Sequence, residues 1–189
     1  MPFSLGTHVI MVRLESYALN VALLAACFIT AVAAPVAGPP SGPTRHSPIV
    51  VDATFSVAFT PGVPAVTYDP YSVPESGKVR VIVLREGEAS LAISGLGPHR
   101  YFGAHMNTGE CRPSGVDIGP RYQHTVNSDP VFANPENEVW LDFTTDGNGR
   151  ATSTSVHAWP FDSDRPPRSI VIDDGNTAAR LACVNVPWS

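Results

Sequence analysis

Short apolar runs of strand length, separated by turn residues, constrain the fold of this chain more than any other feature of its sequence. No window after residue 34 shows the sustained apolar period of an amphipathic helix. Proline and glycine, with 19 and 15 residues, are unfavourable in helix interiors and common in turns. The sequence therefore predicts an all-β protein. The expected strands lie at residues 49–60, 65–68, 78–84, 89–93, 101–106, 138–143, 150–159, 168–172 and 180–186.

The spacing of these runs also predicts how the strands connect. Residues 85–88 form the expected turn of one hairpin. Residues 144–149 form the expected turn of a second hairpin, between the runs at 138–143 and 150–159. About eight short strands at this spacing predict an eight-stranded antiparallel Greek-key barrel or sandwich.

One predicted strand leads into a long irregular stretch of the chain. In the run at 101–106, the two-residue period of a strand places Gly103 and His105 on the same face. Residues 111–135 then contain several prolines and glycines and exceed an ordinary connection in length. Long ordered loops commonly carry function, so we expect functional residues in or beside this one.

The N-terminal residues 1–34 have the layout of an export segment. Arg13 precedes an apolar run, and Ala31-Val-Ala33 fits the small-residue rule for cleavage. Leu24-Ala-Ala-Cys27 is similar to a bacterial lipobox, so lipidation at Cys27 and an uncleaved anchor are alternatives to cleaved secretion. All three place the domain outside the cytoplasm, and membrane contact is expected only through this segment, if it is uncleaved or lipidated.

A linker and one folded domain are expected after the export segment, whether translation starts at Met1 or Met11. Residues 35–48 are rich in proline, glycine and serine and predict a disordered linker. Residues 49–189 are enough for one domain with its own core. The net charge is −5, and no cluster of lysine and arginine is visible, which argues against nucleic-acid binding. The sequence does not identify a partner.

Export also determines what the cysteines are expected to do. Because Cys27 is removed or lipidated, Cys111 and Cys183 are the two that remain in the domain. In an oxidising compartment they should form a disulfide. A bridge that closes a loop of roughly 70 residues stabilises a domain by about 4 kcal/mol on the chain-entropy account.

Several motifs, in order along the chain, resemble the copper/zinc superoxide dismutase family. They are Gly103-Ala-His105 with Cys111 after it, Gly119-Pro120, Asp146-Gly147, the apolar strand at 169–172, and Gly175-Asn176 before Arg180-Leu-Ala-Cys183. The resemblance covers about residues 65–186. It implies a flattened eight-stranded Greek-key barrel whose long loop is tied down by the Cys111–Cys183 bridge. It also implies that Arg180 occupies the position of an arginine that guides the superoxide anion.

The same resemblance implies a copper and zinc centre, yet most of its ligand positions hold other residues in this chain. His105 matches the first copper histidine. The remaining copper positions fall on Asn107, Arg121 and Asp173, and the zinc positions fall near Asp129, Asn134 and Asn137. Asparagine is a poor ligand for such metals. Arg121, at the position of the bridging histidine, puts a permanent cation where a dication would lie.

Two hypotheses about function follow. In the first, the chain is an exported superoxide dismutase-like domain without cofactor or dismutase activity, in which Arg121 pairs with Asp173 and is supported by His105 and Asn107. In the alternative, His124 turns inward and joins His105 and Asp173 to hold copper or zinc. That remnant site would serve a divergent dismutase, or a protein that binds metal without turnover.

Overall fold

The computed structural model describes residues 46–188 of the chain. The export segment predicted at 1–34, with Cys27, lies outside the described residues, as does most of the linker predicted at 35–48. In the described part, no helix is long and apolar enough to cross a membrane. This part contains one short 3-10 helix, Pro130–Phe132, and nine strands: β1 Ile49–Thr54, β2 Ala65–Thr67, β3 Lys78–Leu84, β4 Glu88–Ser94, β5 Tyr101–Asn107, β6 Phe143–Thr144, β7 Arg150–Val156, β8 Ser169–Asp174 and β9 Arg180–Asn185.

These strands form two sheets, which confirms the all-β prediction. One sheet has the order β1-β3-β4-β7 and the other the order β2-β9-β8-β5-β6. All of the strand pairs are antiparallel, and neighbours such as β4 with β7 require the crossing connections of a Greek key. The core between the sheets includes Val79, Val81 and Val83 of β3, Leu91 and Ile93 of β4, and Phe102, Ala104 and Met106 of β5.

Of the two arrangements predicted, barrel or sandwich, the structure has the sandwich, because its strands form two sheets that do not close into a barrel. Closure needs hydrogen-bonded strands at every edge, and the edge strands β2 and β6 are only three and two residues long. Where β1 approaches β2, the sheets are joined by a bridge between Ser56 and Val66. The molecule is therefore a sandwich, and the run predicted at 49–60 is a strand only as far as Thr54.

The second predicted hairpin is wrong, although the first is confirmed. β3 and β4 pair along their whole length around the expected turn. In contrast, β7 pairs with β4 of one sheet, whereas β6 pairs with β5 of the other. Phe143 stacks on Phe102 with ring centroids 5.0 Å apart, which holds β6 beside β5. The turn at 144–149 thus carries the chain from one sheet to the other.

A disulfide joins the long loop to the outer face of the five-stranded sheet. The predicted bridge between Cys111 and Cys183 is confirmed, with Cα atoms 5.7 Å apart. The Cys111 amide also donates to Asn185 Oδ1 at 2.9 Å. A structural disulfide is consistent with a location outside the cytoplasm. The bridge lies in a small apolar cluster with Val66, Ile118 and Val171.

Candidate functional site

The outer face of β5 carries the candidate site because side chains alternate along a strand. Phe102, Ala104 and Met106 enter the core, so Gly103, His105 and Asn107 take the opposite face, as the sequence predicts. The antiparallel register of β5 with β8 sets Asp173 opposite Gly103. The Asp173 side chain is thereby brought next to His105.

The segment before β6 supplies the other wall of the site. Val139 and Leu141 are fully buried in the core. The Leu141 amide donates to Ala104 O at 2.7 Å, which holds the segment along β5. The residues that alternate with these two therefore take the opposite face, beside His105. They are Glu138, Trp140 and Asp142.

His105 lies between two carboxylates. Its Nδ1 is 3.7 Å from Asp173 Oδ2, and its Nε2 is 3.7 Å from Asp142 Oδ1. The His105 side chain is 9% exposed, and the ring of Trp140 meets it edge-on with centroids 6.3 Å apart. Asp142 is held in place because its Oδ1 accepts the Ala104 amide at 2.8 Å.

Burial keeps the His105 ring neutral at pH 7. Desolvation lowers the pKa of His105 to about 4, with a further contribution from Arg121, and against the opposing effects of Asp142 and Glu138. Burial likewise raises the pKa of Asp173, although Arg180 and Arg121 act in the other direction. Burial therefore favours the uncharged form of both His105 and Asp173.

Arg121 pairs with Glu138, whereas the first hypothesis from the sequence paired it with Asp173. Its Nη1 is 3.4 Å from Glu138 Oε2, and the Glu138 side chain is 3% exposed. The same carboxylate accepts Trp140 Nε1–H at 2.8 Å and Gln123 Nε2–H at 3.0 Å. A buried negative charge is thus neutralised by the residue at the position that the resemblance gives to the bridging histidine.

Asp173 has its own cation, Arg180. The Nε atom of Arg180 lies 3.5 Å from Asp173 Oδ1, and its Nη1 donates to Gly115 O in the long loop. Arg180 therefore ties the loop to the sheet, with its side chain 37% exposed. Its role in guiding an anion stays a prediction.

The asparagines at the positions that the resemblance gives to metal ligands brace the backbone of the loops. Asn107 Nδ2 donates to Gly119 O at 2.9 Å. Asn137 Nδ2 donates to the carbonyls of Thr125 and Phe132, and its Oδ1 accepts the Thr125 amide at 2.7 Å.

The remaining zinc-side positions stabilise one short helix and its flank. Asp129 caps the 3-10 helix, because its Oδ1 accepts the Val131 amide at 3.0 Å. Asn134 donates to Val131 O at 2.7 Å and accepts the amides of Glu136 and Asn137. Side chains used in this way hold loops in place.

His124 stacks on Trp159, away from the pair formed by His105 and Asp173. The centroids of its ring and of the indole are 4.7 Å apart with the planes 8° from parallel. His157 stacks on the same indole at 4.0 Å. Among the residues that the structure describes, no group of three or more His, Cys, Asp or Glu side chains is arranged to hold a metal ion.

The side chains at this site do not fit the copper centre that the resemblance implies. That centre needs four imidazoles on one ion, and here His105 is surrounded by carboxylates and by two arginines. Sequence reasoning did not identify Glu138, Trp140 and Asp142 as site residues. The alternating run Glu138-Val-Trp-Leu-Asp142 was the signal that could have indicated them.

Comparison with known proteins finds a likeness at the level of the fold. The chain is similar to the copper/zinc superoxide dismutase from Brucella abortus, with 16% identity, a TM-score of 0.48, and coverage of 73% of this chain and 99% of that chain. No protein-family model matches the sequence, and no curated protein matches it. A likeness of this extent assigns no function.

Proposed function

We propose that this chain is an exported β-sandwich domain of the superoxide dismutase type that serves as a binding module without dismutase activity. The observation that carries the proposal is the Arg121–Glu138 ion pair at the position of the bridging histidine. Beside it, the one remaining copper-position histidine, His105, lies neutral between Asp142 and Asp173. A network of ion pairs and hydrogen bonds takes the place of the metal centre.

The chemistry of these side chains supports the loss of catalysis. Dismutation by this family requires an ion that cycles between two oxidation states, and imidazoles suit both states of copper. A guanidinium supplies no lone pair to a metal. At about 4 Å and an effective dielectric constant of about 20, a unit positive charge such as Arg121 repels a dication by roughly 8 kcal/mol. One imidazole beside such a cation is a poor copper site.

A metal-binding alternative rests on the two carboxylates that face His105. Imidazole and carboxylate together are a donor set that zinc and copper accept. The ligand set predicted from the sequence, His105 with His124 and Asp173, stays a prediction in this alternative. It would make the chain either a divergent dismutase or a protein that holds metal without turnover.

The purified full-length protein, loaded with copper and zinc and then dialysed, separates these possibilities. We expect a metal content well below one ion per chain and no dismutase activity above the buffer rate. Stoichiometric copper with activity would overturn the proposal in favour of the divergent dismutase. Bound metal that is lost in His105→Ala, without activity, would establish metal binding. Cell fractionation tests export, which predicts the mature protein outside the cytoplasm.

A further inference from the structure

A cavity of about 470 Å³ opens beside the Arg121–Glu138 pair. Ligand pockets usually measure a few hundred to about a thousand cubic ångströms, so this one has room for a small organic molecule. Its walls are formed where the stretch at 120–128 passes the segment that follows β7. The lining includes Arg121, Arg165, Glu138, Thr108, Pro120 and Val126.

Two guanidinium groups give this cavity a positive charge on a chain whose net charge is −5. Arg165 Nη2 donates to Gln123 O at 2.7 Å, and its guanidinium lies 4.9 Å from the centre of the Tyr122 ring. These contacts hold Arg165 in position. Glu138 offsets the charge of Arg121, so the net charge of the lining residues is about +1.

Both arginines keep hydrogen-bond donors for a ligand. A guanidinium has five N–H donors. In the described part of the chain, Arg121 uses Nη1 towards Glu138 and Arg165 uses Nη2 towards a carbonyl. The remaining N–H groups of Arg121 and Arg165 are donors that a ligand carboxylate can use while Arg121 stays paired with Glu138.

The rest of the lining is suited to an apolar group. Pro120 lies on one wall, and Val126, whose side chain is exposed, lies at the opening. A guanidinium plane also stacks on aromatic rings. A ligand with one negative charge and a compact apolar or aromatic body would match both the charge and the walls.

We propose that this cavity is a binding site for small aromatic or aliphatic monocarboxylates, held by Arg165 and Arg121. The proposal rests on the proposed function, since it names the ligand class of the binding module. A single carboxylate matches the charge of the site, and the paired oxygens of a carboxylate fit the fork of a guanidinium.

Benzoate is a suitable probe, and benzamide is its neutral counterpart of the same shape. Titration into the full-length protein, followed by amide chemical shifts in two-dimensional NMR, should give saturable shifts for Asn127 and Ser128, which line the cavity. We expect a dissociation constant on the order of 1 mM for benzoate, in keeping with its size. Benzamide should bind at least about tenfold more weakly, because it lacks the charge. Equal affinity for the two, or no saturation, would overturn the proposal.

Arg165→Gln tests the site itself and should weaken benzoate binding about tenfold. Arg80→Gln removes an arginine that pairs with Asp52 on the other sheet, and it should leave the affinity unchanged. If Arg165→Gln fails to fold, Val126→Asp at the exposed rim should abolish binding by repulsion. Unchanged affinity in a folded Arg165→Gln or Val126→Asp protein would overturn the proposal.

Failure of this proposal can be told apart from failure of the proposed function. The titrations are carried out in EDTA, so they do not depend on metal. Absence of benzoate binding refutes the cavity as a carboxylate site and leaves the metal result untouched. Stoichiometric copper with dismutase activity refutes the proposed function, whatever the benzoate titration gives.

Discussion

Arg121 and Glu138 form an ion pair in which the carboxylate is buried and the guanidinium is half exposed. Nη1 of Arg121 lies 3.4 Å from Oε2 of Glu138, and the two side chains are 42% and 3% exposed. Trp140 and Gln123 donate to the same carboxylate. Removal of Arg121 would leave the buried negative charge with two hydrogen bonds and no counter-charge.

Arg121→Ala should therefore destabilise the protein by about 1–2 kcal/mol, less than for a fully buried pair because Arg121 reaches solvent. Urea unfolding at pH 7 measures this. Arg80→Ala is the matched control, since Arg80 pairs with Asp52 at 2.9 Å on an exposed face, and such pairs contribute about 0–1 kcal/mol. A loss for Arg121→Ala no greater than that for Arg80→Ala would show that the pair does not stabilise the fold.

The burial of His105 predicts that acid weakens the fold. Its pKa is about 4 in the folded protein against a usual value of 6.5. The unfolded chain therefore binds more protons between these values, and stability is present above pH 6.5 and lost as the pH falls towards 4. Relative to His105→Gln, the wild type should lose up to about 3 kcal/mol over this range. NMR titration of the ring measures the pKa directly.

Asp173, which lies beside His105, also contributes to the pH dependence of stability. Burial raises the pKa of Asp173, so its contribution is present at low pH and is lost as the pH rises through the folded value. The two effects oppose one another, which is why the comparison with His105→Gln isolates the histidine. His99→Gln, which changes an exposed histidine in a turn, should keep the wild-type pH dependence. An identical pH dependence in His105→Gln would contradict the prediction.

Local patterns in the sequence predicted the strands and one face of the site well. The two-residue period places His105 and Asn107 outside the core, and the pairing of Cys111 with Cys183 follows from two cysteines in an oxidising compartment. Both features depend on short-range alternation or on simple counting. Asn134 donates to Val131 O and Asn137 donates to Thr125 O, so both hydrogen bonds stay within one loop.

Pairings between distant segments could not be predicted in the same way. The turn at 144–149 does not determine which strands its two flanks pair with. β6 pairs with β5, where Phe143 stacks on Phe102, whereas β7 pairs with β4 of the other sheet. Arg121 and Glu138 are 17 residues apart, and two irregular segments must come together before they meet. His124 turns inward only in the metal-binding alternative, and its stacking on Trp159 depends on the course of the loop.

Asn137→Asp tests whether Asn137 has a structural role in the loop. The Nδ2 group of Asn137 donates to Thr125 O at 3.0 Å and to Phe132 O at 2.9 Å, and a carboxylate would face these carbonyls without a hydrogen to donate. The variant should lose about 3 kcal/mol in urea unfolding at pH 7. Asn127→Asp makes the same change at an exposed position of the loop and should stay within about 0.5 kcal/mol. A loss for Asn137→Asp no greater than that for Asn127→Asp would contradict the structural role.

The disulfide should stabilise the domain by anchoring the long loop. The bridge spans a sequence separation of 72, for which the loop-entropy account gives about 4 kcal/mol. Cys111→Ala/Cys183→Ala should lose roughly this amount in urea unfolding. The wild type should lose the same amount in a reducing agent that leaves the variant unaffected. Because Cys111 and Ile118 pack against Val66 and Val171, proteolysis of the variant should begin near residues 111–120. A loss below about 1 kcal/mol would mean that this packing holds the loop without the bridge.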